Sequence, residues 1–435
     1  MNSENNLSEI FFKYGLAVFP ILLLTGPLIS ELYLILAVIF SYFCIIKKKN
    51  YKFFNNRYFI FFGIFYFSTL FSTIINFYNF DKSIAGIFYF RIPLFAFSIW
   101  FILEKFNFFD KKIFLVYFAF FLIIIFDSLL QFYSGTNLLG FQITSGRISS
   151  FFNDELILGG FLLRILPIFL IFLVMGEMLS NQKLNIFFII FIALICFVIY
   201  LSGERSSFYL LFLFFFTLFF ISSDLRKFIS YIMIFFLVIL TISSNLKNSN
   251  NIDPSNRMFK KTFNQLVGHD ADYLQLKKKK MIGKFYLFSY DHQNHYILSY
   301  NIFKDHVLFG SGVKGFRYLC RNKIYILENN DGCSTHPHNT YVQILVSNGL
   351  VGLSLLFFAL FFIIKEMFSC RKKLNSQNKY NKYEVSKAIV ISAIFMNIWP
   401  LVPSGSFFNN WLSMLYFYPI GFYLYFKNRN EKKIS

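Results

Sequence analysis

The run Ser334-Thr335-His336-Pro337-His338-Asn339-Thr340-Tyr341 brings two imidazoles, an amide and a phenol to the boundary between a long polar stretch and an apolar one. Pro337 disfavours helix at His336, so the next helix is predicted to start between His338 and Thr340. An imidazole at such a boundary titrates near neutrality and suits general base work. The competing reading is a structural histidine; the convergence of four polar side chains at one helix lip favours chemistry. A second candidate is Leu201-Ser202-Gly203-Glu204-Arg205-Ser206-Ser207, the whole connection between two apolar runs. Arg205 would stand at a helix N-terminus, where unsatisfied N–H groups and a guanidinium together suit an anion such as a diphosphate. The alternative there is a neighbour contact of Glu204 with Arg205 and no function. Arg91, Arg147 and Arg164 also lie beside or within the ends of apolar runs, where a charge needs a partner or a water-filled cavity; Arg91 and Arg164 have snorkelling to the headgroup layer as their alternative.

The elements that must position these groups are membrane helices. The 435 residues are 56% hydrophobic and only 15% charged, far below the roughly 25% charge of soluble domains. Apolar blocks of about 18 to 22 residues recur between short polar segments, the length a hydrocarbon core demands of a helix. The expected fold class is all-α integral membrane, with about twelve spans. These fall at 10–25, 28–46, 58–77, 84–103, 112–132, 156–176, 184–201, 206–222, 228–245, 341–364, 385–402 and 407–426. Thr25, Gly26 and Pro27 supply the turn between the first two. The corresponding division is a membrane domain over 1–246, a large loop over 247–340, and a second membrane segment over 341–435. The first apolar stretch lacks a small-residue cleavage site and belongs to the repeating series, so it is not read as a signal peptide.

Lys and Arg alternate in abundance between connections. With the N-terminus inside, 23 of them fall on the cytoplasmic side, against Lys82, Arg91, Arg147, Arg164 and Arg205 opposite, the long loop aside. Both termini are therefore predicted cytoplasmic and the 247–340 loop exported. The net charge of +20 is spread through these connections instead of forming one patch with aromatics, which argues against nucleic acid. Cys320 and Cys333, thirteen residues apart in the exported loop, are expected to form a disulfide, with two unpaired thiols as the alternative. A zinc site fits less well, because His336 and His338 follow Cys333 at non-standard spacing. His269, His292, His295 and His306 read as solvated, Lys277 to Lys280 as a solvated or lipid-facing run, and Gly310-Ser311-Gly312-Val313-Lys314-Gly315 as a turn without P-loop spacing.

The residues around His338 resemble those of the O-antigen ligase and O-antigen polymerase family of bacterial membrane proteins. The family's signature, His then Asn, Ser or Gln, nine residues, Gly, two residues and Gly, Thr or Tyr, reads here as His338-Asn339, Thr340 to Asn348, Gly349, Leu350-Val351 and Gly352. Phe309-Gly310-Ser311-Gly312 with Phe316, Gly146-Arg147-Ile148 through Phe152-Asn153 with Gly159-Gly160, and Gly203-Glu204-Arg205-Ser206 resemble further family segments. Ser347 stands where many relatives carry Glu, and four residues instead of three separate Arg205 from Leu210. The resemblance implies a metal-independent, inverting glycosyltransferase without a cofactor, acting on a glycan joined to undecaprenyl diphosphate. Arg205 and Arg147, with Arg91 or Arg164, would hold the diphosphate; His338 would take the acceptor's proton; Asn339 would fix the imidazole tautomer; His336 and Tyr341 would meet the acceptor. The acceptor would be a lipid A core sugar in a ligase, or the end of another lipid-linked repeat in a polymerase. The partners are then these glycans and membrane lipids, in a bacterial inner membrane with the active site on the periplasmic face. A transporter or flippase is the reading from another class, but the conspicuous polar groups lie on one face only, and neither mid-span polar residues from both halves nor internal repetition is apparent.

Overall fold

The computed structural model describes residues 7–8, 10–78, 80–244, 253–267, 288–326, 332–376 and 380–431. His269 and Lys277 to Lys280 lie outside the described residues. The described chain is mostly helical, and only isolated bridges, Thr136 with Gln142 and Thr144 with Arg147, pair extended residues within it. Among the described residues, eight helices are long and apolar enough to cross a membrane: α1 (Pro27–Lys47), α2 (Arg57–Ile75), α3 (Ser83–Lys105), α4 (Lys111–Ser134), α5 (Leu158–Met175), α6 (Gln182–Leu201), α8 (Ser223–Ser243) and α10 (Thr340–Ser376). Between α6 and α8 runs α7 (Arg205–Ile221), apolar but of 17 residues. The loop region contributes α9 (Tyr290–Asp305), and the chain closes with α11 (Lys382–Asn397) and the tyrosine-rich α12 (Asn410–Glu431).

Short polar side chains start many of these helices. Asn56, Asp110, Asn181 and Asn381 each accept hydrogen bonds from backbone N–H groups two or three residues on, which satisfies donors that lipid cannot. At the other end of α4, Gly135 (φ +89°) forms a left-handed cap.

Residues 10–25, expected as one span, are instead a broken segment: a π-helical turn, Ile10–Tyr14, followed by Gly15–Ala17 and Phe19–Leu24. Pro20 opens the last piece, and a Cβ at Gly15 would lie 2.3 Å from the Tyr33 ring, so close packing and proline together interrupt the ladder. The carbonyls of the segment are partly satisfied by side chains: Tyr33 Oη donates to Phe12 (2.8 Å), Tyr418 Oη to Leu16 (3.2 Å) and Trp411 Nε1 to Leu23 (3.0 Å). The turn at 25–27 is present, with Gly26 at φ +102° and Pro27 at the first position of α1.

Burial sorts the helices. In α5, 94% of the most apolar window is buried, against 33% in α1, 22% in α2 and 28% in α8. Helix α5 is therefore the centre of the bundle, packed against α6, α7, α11 and α12, while α1, α2 and α8 present Phe, Ile and Leu outward, as lipid-facing helices do. Ahead of the terminal Met175, Arg164 is the exception along α5: it is partly exposed where its neighbours are buried, because that face of the helix opens on a cavity.

Candidate functional site

The Gly349 of the signature breaks α10 into two helices. Its φ of 64° and ψ of −157° belong to a region that only glycine enters readily. The break frees backbone groups that residues 307–312 take up: Leu350 N–H donates to Val307 (2.9 Å), Val351 N–H to Leu308 (3.2 Å), Ser311 N–H to Val346 (2.7 Å) and Gly312 N–H to Ser347 (3.0 Å). This approach leaves no room for a side chain at Gly310, where a Cβ would sit 2.3 Å from the Ser347 carbonyl carbon. Helix α2 completes the clamp, with Ser72 Oγ donating to Ser347 O (2.6 Å), Asn76 Nδ2 to Gly310 O (2.9 Å) and Asn348 Nδ2 donating to Thr69 Oγ1 (2.8 Å). The glycine-rich segment is thus a turn, docked against the broken helix. Ser347 contributes its carbonyl to this clamp and is buried.

The short first half of α10 carries the histidines at its start. His338 has φ +57°, and its carbonyl accepts the Ser404 N–H (2.9 Å). Asn339 is the helix cap: its Oδ1 accepts from Tyr341 N–H (2.9 Å) and Val342 N–H (3.2 Å), while Nδ2 donates to Pro400 O (2.8 Å). Both ends of the amide are engaged by backbone, so the structure gives Asn339 a capping role where tautomer fixing had been expected. Tyr341 is buried and donates to Ile398 O (2.8 Å), a tether to the 398–409 connection instead of a wall of the cavity. Thr340 with Ser404 (2.9 Å) and Gln343 with Ser406 (2.9 Å) extend the same seam.

Helix α9 lays two further imidazoles on His338. The ring centroids of His336, His295 and His292 lie 4.0, 5.3 and 5.6 Å from that of His338. His295 is buried and its Nδ1 pairs with Gly332 O (2.7 Å); His292 Nδ1 pairs with Ser289 Oγ (2.7 Å). The expectation that His292 and His295 are solvated is therefore corrected. The amphipathic face of α9 docks Leu298 and Ile302 on Phe316, Cys320 and Val346, which carries the histidines inward. Cys320 and Cys333 are bonded, with Cα atoms 5.0 Å apart, and hold the chain just ahead of His336 to that small core. Burial is the main reason that the imidazoles resist protonation: it lowers His338 to about 4, with the charge of His295 adding to it, and His336 to about 3 and His292 to about 4, with His338 adding to both. All three are neutral near pH 7, the state that accepts a proton. Although four imidazoles meet, among the described residues no His, Cys, Asp or Glu side chains are grouped so as to hold a metal ion.

Beside the histidines opens a cavity of about 1190 Å³, whose wall includes Arg91, Arg164, Lys314, Arg317, Glu204 and His336. Nε2 of His336 is buried without a hydrogen-bond partner, as is Nε of Arg164. Arg164 also donates to Gly160 O (2.7 Å) and lies over the Tyr416 ring at 5.2 Å. Arg91 pairs with Glu31 and donates to Asn410 Oδ1 (3.0 Å), so a carboxylate holds it at the wall. Glu204 belongs to α5 and not to its neighbour Arg205: its two oxygens accept the Gly159 N–H (2.7 Å) and Gly160 N–H (3.0 Å) at the start of that helix, and burial raises its carboxyl pKa.

Arg147 and Arg205 stand outside the cavity wall. Arg147 donates to Ser202 O (3.0 Å) and Leu156 O (3.0 Å) and lies 3.8 Å from Glu204, stitching the 135–157 connection to the 201–207 connection. That connection is itself anchored by Gln131, whose Oε1 accepts the N–H groups of Ser149 (3.0 Å) and Ser150 (2.8 Å). Arg205 does begin α7; it donates to Gln265 Oε1 (3.0 Å), and its charge contributes to the low pKa of His292. Arg257 adds a cation here, donating to Gly203 O (2.8 Å). Arg257 and Arg317 carry no motif in the sequence, and His292, His295 and Lys314 read there as solvated or turn residues; all lie in the long loop, where no periodicity marks which side chains turn inward. The proximity of Lys314 and Arg317 to the glycine-rich turn was the available signal.

Residues 189–357 match a family model described as O-antigen ligase, while no curated protein matches the chain. The matched stretch contains the 201–207 connection, α9, the glycine-rich turn and the broken start of α10, the parts that build the histidine niche. Through that stretch the chain is similar to the O-antigen ligase family.

Proposed function

We propose that this membrane protein of the O-antigen ligase family transfers a glycan from undecaprenyl diphosphate to an acceptor hydroxyl, on the periplasmic face of a bacterial inner membrane with both termini cytoplasmic. The observation that carries the reading is that Arg91, Arg164, Arg317 and His336 line one cavity, with the ring of His338 4.0 Å behind that of His336. A diphosphate leaves readily once its charge is balanced, and guanidinium groups in a recess of helix ends are suited to that task. The acceptor oxygen attacks the anomeric carbon, the bond to the diphosphate oxygen breaks with its electron pair, and the hydroxyl proton passes to His338. Attack opposite the leaving group inverts the anomeric centre. His336, at the wall with an unpartnered Nε2, orients the acceptor. Arg205 and Arg147 act from the rim, Arg205 beside His292 and Arg147 by holding the 201–207 connection. The acceptor is a lipid A core sugar; the end of another lipid-linked repeat is the polymerase alternative, and the four-residue spacing from Arg205 to Leu210 is the feature that favours it.

The test is transfer from purified lipid-linked glycan to acceptor in detergent, with chelator present. His338→Ala should lower turnover by about 10²- to 10⁴-fold while donor binding persists. Near-normal turnover in that variant, or loss of activity on chelation, refutes the mechanism. In cells, deletion separates the two acceptors: loss of all long chains marks a ligase, a single capped repeat a polymerase.

A further inference from the structure

A second recess, of about 380 Å³, lies at the opposite end of the bundle from the histidines. It forms where the last residue of α3, Lys105, the end of α5 at Met175, the start of α11 at Lys382 and the last turns of α12 at Arg429 come together. Glu104 is on its wall too, but is engaged by Lys52, and Lys382 is paired with Glu177 (2.7 Å). Lys105 and Arg429 have no carboxylate partner among the described residues. The Lys105 ammonium lies over the rings of Phe40 (4.4 Å) and Phe106 (4.9 Å). Arg429 lies over Tyr425 (5.2 Å) and Tyr383 (5.4 Å) and donates to the Tyr383 hydroxyl (3.1 Å).

Cations near helix C-termini commonly just complement the helix dipole. That role does not require two of them, from helices distant in sequence, to share one recess, nor aromatic faces to hold each in place. With Glu104 and Glu177 answered by Lys52 and Lys382, the recess carries two uncompensated positive charges, and the aromatic rings restrict the freedom that a binding cation would otherwise lose. It also lies among the connections where basic residues concentrate, the side of a membrane protein that meets anionic lipid.

We propose that this recess binds a phosphate group, through Lys105 and Arg429 with Lys382 at its edge. Phospholipid headgroups and free phosphate share this chemistry, and the experiment separates them. The full-length protein, purified in detergent, is titrated in native mass spectrometry with phosphatidylglycerol, with phosphatidylcholine of the same acyl chains, and with inorganic phosphate. Phosphatidylglycerol should bind in preference to phosphatidylcholine, and Lys105→Gln with Arg429→Gln should weaken it at least tenfold. If free phosphate is the natural occupant, phosphate alone will bind and show the same dependence on the two residues. Arg429 is exposed in the last turns of α12, so Arg429→Gln alone provides a variant that keeps the fold, with a weakening of several-fold expected. Binding of both lipids alike with no binding of free phosphate, or binding unchanged in the variants, overturns the proposal.

Discussion

Gly349→Ala tests whether the break in α10 assembles the niche. The backbone at φ 64° and ψ −157° costs a residue with a Cβ about 1–3 kcal/mol. The new Cβ would stand 2.3 Å from Leu308 O, 2.4 Å from Leu308 C and 2.6 Å from Phe309 N, all backbone atoms that cannot swing aside as a side chain can. Relief requires residues 307–309 to withdraw, which breaks the bonds from Leu350 to Val307 and from Val351 to Leu308, worth about 0.5–1.5 kcal/mol each. Together these give a destabilisation of roughly 2–6 kcal/mol, a large share of the stability of an ordinary domain. Thermal unfolding in detergent measures it, with Gly63→Ala in α2 as the control, since no atom lies within 4 Å of a Cβ there and the helix gains from alanine by about 0.5–1 kcal/mol. Turnover should fall as well, because the clamp holds the short helix that His338 opens. A Gly349→Ala protein that unfolds with the wild type and retains full turnover would refute the role given to the break.

Glu204→Gln keeps the size of the side chain but turns an amide NH₂ towards one of the two N–H groups of Gly159 and Gly160, so a loss of about 1–3 kcal/mol is expected in thermal unfolding, with Glu204→Asp no substitute because its reach is shorter. If His338, held near 4 by burial, acts as the neutral base as proposed, kcat/KM should stay level as pH falls from 7 and drop only on a limb near pH 4; a limb at 6 to 7 would contradict that role. The same depression acts on stability: the unfolded chain takes up these protons near the ordinary value of about 6.5, so stability should decline as pH falls from there towards 3 to 4, then level off, in acid-induced unfolding. Phosphatase fusions after Lys373 should be inactive and fusions near Ser255 active, as the Lys and Arg asymmetry requires; the reverse pattern would place the histidines on the cytoplasmic side.

Membrane helices announce themselves in sequence because length and hydropathy are local properties, and the apolar runs from Pro27 to Lys47 and from Gln182 to Leu201 appear as helices within a few residues of expectation. The first run reads as continuous because the groups that satisfy its broken ladder are remote in sequence: Tyr33, Trp411 and Tyr418, on other helices, donate hydrogen bonds to its carbonyls. The same limit applies to the site. His338 was legible from its boundary position and signature, whereas the packing of His292 and His295 on it depends on how α9 docks, which the polar loop sequence does not encode by periodicity. Asn339 and Tyr341 looked available for chemistry because a sequence does not show that a cap and a tether already use their polar atoms. Arg91 and Arg164 were recognisable as charges in need of a reason; that one is answered by Glu31 and the other faces a cavity is a matter of tertiary neighbours.

The seam between His338 and the 398–409 connection sets an order in time. The ribosome delivers His338 well before Ser404, Ser406 and Pro400, the residues whose backbone and hydroxyls fix the start of α10. Until they emerge, the helix that positions the imidazole has only one of its flanks. A nascent chain halted at α10 therefore holds the whole signature and still lacks a finished niche, whose assembly awaits the 398–409 connection.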